Sequence, residues 1–307
     1  MVILPFLLAI QVAVSPAEVW TPIAPAINQA PGSAPKGGWC GEASIQMVML
    51  QHGVYASQDR INDVARPSTP DIEKWEDIQS AFRAFGFTVD SWPAQNYDVD
   101  GLSREVSTSV KKGFPILFGV KVLSKEGDDL HPESSADHFV VASNVTQEGV
   151  WINDTWSFHP RPMSWGQLAA NPTGITFANR AHQLLAMRAS LALKSSYRVR
   201  LSPADPSTFF DDQTKLNVQI IGLKKGSKYC VWKQSLTGPS TTSLQNILAT
   251  EDHLETTISI HHDDSFKIVV TQDDMVAPNH LDPGKTEQGK VEKAKVQINT
   301  AEQINVE

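Results

Sequence analysis

The chain has 307 residues, 41% of them hydrophobic and 20% charged. That is enough apolar material for one large core or two ordinary ones, and it excludes a chain disordered throughout. Lys and Arg number 26 against 34 Asp and Glu, a net charge of −8, which argues against a nucleic-acid partner, since that requires a basic face.

Residues 1–17 carry no charged side chain, 2–14 form an apolar run, and Ser15-Pro16-Ala17 supplies the small residues that a signal peptidase reads. This pattern predicts a secretory signal and a secreted or exported protein. No later run of about 18 apolar residues follows, so no integral membrane span is expected in the mature chain. Residues 18–190 read as one mixed domain. After Cys40, the positions Ile45, Val48, Met49 and His52 recur at helical spacing and Gly53 follows, which predicts an amphipathic helix with a glycine stop. Residues 71–85 before Gly86, and 102–112 before Gly113, predict two more helices. The period then changes, and 115–122, 138–143 and 149–153 read as strands. Helices precede strands, so the expected class is α+β, a helical lobe packed on an antiparallel sheet. Residues 195–275 hold only strand patterns (197–201, 216–222, 228–234, 256–261 and 266–271) and predict a small all-β sandwich. Residues 276–307 contain no Phe, Tyr or Trp and read as a flexible tail.

The chemistry concentrates at Trp39-Cys40-Gly41. A thiol at a helix start meets the positive end of the macrodipole and free N–H groups, which favour the thiolate. Gly37-Gly38 before it let backbone approach a substrate. A cysteine nucleophile needs an imidazole to carry the proton, and His138, opening the strand His138-Phe139-Val140-Val141, is the best placed. A third group should orient that imidazole. Asp154 ends the following strand, and adjacent antiparallel strands lie about 4.8 Å apart, so the two side chains can touch if these strand ends pair. Asn153 is its rival, and only one of the two faces His138 because successive strand residues point to opposite sides.

These blocks resemble a known family. Gln29 ahead of Cys40-Gly41-Glu42-Ala43-Ser44, then Gly113-Phe114-Pro115, His138-Phe139-Val140-Val141 and Trp151-Ile152-Asn153-Asp154 are similar, in order, to the papain-like cysteine peptidase superfamily. The nearest branch is the bacteriocin-processing (double-glycine) peptidase-like one. The resemblance covers residues from about 20 to 165 and implies a papain-like lobe and a peptide or protein substrate, with no metal or cofactor. It implies Cys40 as nucleophile, His138 as general acid and base, Asp154 as orienter, and Gln29 with the Cys40 N–H as oxyanion hole. Thr155 stands where the family usually has proline. No fused transporter is seen, so a double-glycine leader substrate is not implied.

Other readings remain open at this level. An amine instead of water could resolve the thioester, giving an acyltransferase. Cys40 and Cys230 could form a disulfide in a non-catalytic binding protein. His261-His262-Asp263-Asp264 has metal-ligand composition, but its place between two strands predicts a hairpin turn. Asn144-Val145-Thr146 and Asn153-Asp154-Thr155 are glycosylation sequons. Trp39, Trp151, Trp156 and Trp165 line either a cleft or the core.

Overall fold

The computed structural model describes residues 39–272, apart from 68–70, 73, 94–98, 123–135, 156–159, 166–174, 177–184, 191–196, 206–212 and 262. The predicted signal segment, Gln29 and the 276–307 tail lie outside the described residues. The elements run α1 (Cys40–Leu50), β1 (Val54–Ala56), α2 (Gln58–Ala65), α3 (Trp75–Ala84), β2 (Thr88–Pro93), α4 (Val99–Lys111), β3 (Ile116–Val122), β4 (Ala136–Val145) and β5 (Gly149–Asp154). They continue with β6 (Arg161–Ser164), β7 (Ile175–Thr176), β8 (Leu185–Ser190), β9 (Arg198–Pro203), β10 (Gln213–Ile221), β11 (Lys228–Ser235), β12 (Thr241–Leu248), β13 (His253–His261) and β14 (Ser265–Gln272).

The class is α+β, and every pairing between described strands is antiparallel. One sheet has the order β2-β8-β3-β4-β5-β6, with β7 beside β3. Alternation along its central strands divides two apolar clusters. Phe118, Val140 and Ile152 pack with Val106 and Val110 of α4, while Leu117, Phe139 and Val141 pack with α1.

The later strands form two further sheets, β13-β10-β9 and β1-β14-β11-β12. The second contains β1, which follows directly on the Cys40 helix: Val54 pairs with Lys267 and Ala56 with Ser265. Both sheets send side chains into the cluster that holds α1, among them Leu201, Val218 and Ile260 from one and Val231, Phe266 and Val270 from the other.

The glycine stops stand where the sequence puts them, with positive φ at Gly53, Gly86 and Gly113. The amphipathic character expected of α1 does not. All of its residues from Cys40 to Leu50 are buried, because it packs against α2, α3, β1, β3, β4 and β9. Gln46 is bonded inside the protein instead of facing water. Gln46 Nε2 donates to the Ala56 carbonyl at 2.7 Å, and Gln58 Nε2 donates to Gln46 Oε1 at 3.2 Å. The hairpin expected after His261 is not formed: β13 and β14 lie in different sheets, and the turn that joins them is closed by Asp264 Oδ2, which accepts from the His261 N–H at 3.0 Å and from Lys233 Nζ at 2.7 Å. No cluster of acidic, His or Cys side chains among the described residues is arranged to hold a metal ion.

Candidate active site

Helix α1 starts at Cys40 out of a non-helical Trp39 with no side-chain cap, so its first N–H groups are open to other partners. The Cys40 sulfur takes two of the N–H groups near it, from Gly41 and from Phe139 of β4. Phe139 directly follows His138. The Phe139 ring is met edge-on by Trp75 at 5.4 Å. Trp75 in turn fills the space over Gly119, where a Cβ would sit 2.7 Å from its ring.

His138 Nε2 lies 2.9 Å from Asp154 Oδ1. The register explains the contact. Val140 stands opposite Asp154, so His138, two residues earlier, is the diagonal neighbour on the same face. The next strand repeats the step. Arg161 stands opposite Ile152, and its Nη2 reaches Asp154 Oδ2 at 2.5 Å. His138, Asp154 and Arg161 therefore form a row across β4, β5 and β6. The histidine and the carboxylate are each about 1% exposed. Thr155 Oγ1 lies 3.5 Å from His138 Nε2. Asn153, the rival orienter, points to the other face, where its Oδ1 accepts from Ser143 Oγ at 3.3 Å.

Cys40 and Cys230 are not bonded to each other, which removes the Cys40–Cys230 disulfide reading. Cys40 meets β4, whereas Cys230 pairs with Asn246 and Thr271 in a different sheet. Trp165 packs against the α4 side of the sheet and Trp39 is buried, so both serve the core. Trp156 lies outside the described residues.

With Cys40 set beside a strand that carries a His–Asp pair, comparison with known families becomes decisive. Residues 23–169 match the Peptidase_C39 like family. The match takes in Cys40, His138, Asp154 and Arg161, and it points to cysteine peptidase activity on a peptide or protein substrate. No curated protein matches the chain. Among the described residues, no helix is long and apolar enough to cross a membrane.

Two side chains of the Peptidase_C39 like region escaped the sequence reading. Arg161 is one. Glu42 is the other: its Oε1 accepts from Asn62 Nδ2 at 2.7 Å and from the Ile72 N–H at 2.9 Å. Ile72 lies so close over the start of α1 that a Cβ on Gly41 would stand 2.6 Å from its carbonyl oxygen. Glu42 thus ties α2 and the segment before α3 to the turn that carries the sulfur. Each buried donor left without this acceptor would cost about 1–3 kcal/mol. Glu42 is fully buried, and that burial pushes its carboxyl upward.

The thiol does not behave as a bare helix start predicts. Burial pushes Cys40 up to about 12; the Phe139 N–H pulls it down, and the charges of Glu42 and Asp71 push it further up. Desolvation outweighs the N–H groups, so the resting site holds a thiol at neutral pH. The expected result is that iodoacetamide alkylates Cys40 faster by about tenfold per pH unit between about pH 7 and 10, since only the thiolate reacts. A plateau near the ordinary cysteine value of about 8.5 would show that the sulfur is more solvated than its surroundings imply.

Proposed function

We propose that this protein is a secreted or exported papain-like thiol peptidase that hydrolyses peptide bonds through an acyl-enzyme on Cys40. The observation that supports the reading is the hydrogen bond from the Phe139 N–H to the sulfur, one residue along β4 from the histidine that Asp154 holds. Because Asp154 accepts from Nε2, neutral His138 carries its lone pair on Nδ1. Nδ1 takes the thiol proton as the sulfur attacks the carbonyl carbon. A thiol buried this way favours such general-base activation over a standing thiolate. The oxyanion is assigned to the Cys40 N–H, with the Gln29 side chain as the second donor that the family resemblance implies. The C–N bond then breaks, and His138 gives its proton to the departing amine. Water, deprotonated by His138, attacks the thioester; the acyl group leaves as a carboxylic acid, and the proton returns to sulfur. The strands from 198 to 272 serve as a β-sandwich behind the nucleophile helix.

The test is a peptide bearing an acyloxymethyl ketone, incubated with the protein and mapped by mass spectrometry. The expected adduct is on Cys40 and is lost in His138→Ala. An adduct on Cys230 alone, or one on Cys40 indifferent to His138, overturns the reading.

A further inference from the structure

The row across β4, β5 and β6 does not end at the carboxylate. Asp154 offers one oxygen to His138 and the other to Arg161. The carboxylate is buried, so its charge acts through a medium of low polarity, while the Arg161 side chain keeps 29% of its surface in solvent. We propose that Arg161 is a positioning residue that fixes the Asp154 carboxylate and cancels its charge, so that His138 works against an ion pair. This inference rests on the peptidase reading for its catalytic meaning, but the charge relation among the three side chains is independent of it.

The argument is electrostatic. A lone buried carboxylate beside an imidazole would hold it as imidazolium and leave no base for the Cys40 thiol. A guanidinium on the far oxygen offsets that pull while leaving the Nε2 hydrogen bond in place. Bidentate-capable and permanently charged, Arg suits this place better than a neutral donor. The charged groups that act on the sulfur His138 would serve are Glu42 from α1 and Asp71 from the segment before α3. Both acids are charges of the same sign as Asp154, so neither can replace Arg161.

The sign follows. Without the guanidinium, the net negative charge facing His138 grows, its proton is held to higher pH, and the acid limb of kcat/KM moves up. The experiment compares wild type, Arg161→Lys and Arg161→Gln in the full chain, with Arg161→Met as a second charge-removing variant should Arg161→Gln not fold. His138 is titrated by NMR of its ring protons, and kcat/KM is followed against pH on a peptide substrate. The expected result is an upward shift of at least about one pH unit, tenfold in proton affinity, in both readouts for Arg161→Gln or Arg161→Met. Arg161→Lys should keep the wild-type profile. Loss of stability or turnover with an unmoved His138 titration assigns Arg161 a structural role only and overturns the inference. A moved titration in a protein that hydrolyses no peptide upholds the charge relation and overturns the peptidase reading instead.

Discussion

Cys40→Ala is expected to abolish peptide hydrolysis, with kcat falling by roughly 10⁴- to 10⁶-fold, the scale reached when a catalytic nucleophile is removed. Alanine is the best helix former and needs less room than cysteine, so α1 and its packing persist. His138→Ala falls as far, because the thiol that burial holds near 12 then has no base. The double variant is no worse than either single one, since the two groups act in one step. Cys230→Ala retains activity: its side chain stands on β11, in the sheet β1-β14-β11-β12, away from β4. The measurement is steady-state hydrolysis of a fluorogenic peptide, with near-ultraviolet circular dichroism to confirm the fold. Residual turnover within tenfold of wild type in Cys40→Ala removes the nucleophile assignment.

The second large effect concerns the length of chain that the site needs. A chain ended at residue 190 keeps every residue of the Peptidase_C39 like match, yet it is expected to aggregate or to melt without a cooperative transition. It loses β14, the partner of β1, and the Ile268 N–H that donates to the Gly53 carbonyl at 2.9 Å. It also loses Phe266, whose ring lies 5.5 Å from that of Tyr55. Leu201, Leu216, Val218 and Ile220 leave the same apolar cluster as Ile45, Met47 and Leu50. Each such side chain contributes about 1.5–3 kcal/mol when fully buried, so five of them rival the roughly 5–15 kcal/mol that holds an ordinary protein folded. A chain ended at 275 should melt as the full protein does. A 190-residue chain that unfolds cooperatively and reacts with the probe at Cys40 would show that the two regions fold apart.

Much of the candidate site was legible because its chemistry is local. Cys40 at a helix start, His138 opening a strand and Asp154 closing the next are statements about single residues and short periods, and the register of β4 and β5 honours them. Arg161 was not legible: Arg161-Pro162-Met163-Ser164 is too short for a period and contains a proline. β1 spans three residues, and α2 reads Gln-Asp-Arg-Ile-Asn-Asp-Val-Ala, whose polar majority hides the buried Gln58, Ile61 and Ala65. β12, with Thr and Ser at its start and most of its residues outside the core, carries no alternation strong enough to see. The protonation state of Cys40 is hidden from the sequence for a different reason. A helix start can be read from sequence, but the depth at which it is buried depends on β4 and the segment before α3, which only the assembled structure brings near.

Asn153 has one more consequence, for how the protein is produced. Its side chain is fully buried against Ser143, although Asn153-Asp154-Thr155 is a sugar-acceptor sequence. Eukaryotic secretory cells attach the oligosaccharide while the polypeptide is still emerging, before β5 has closed onto β4. A sugar fixed there has no room in the finished sheet. Recombinant material from yeast or mammalian culture would then split into a soluble fraction unmodified at Asn153 and a retained one that bears a glycan there, whereas a bacterial host would deliver a single species.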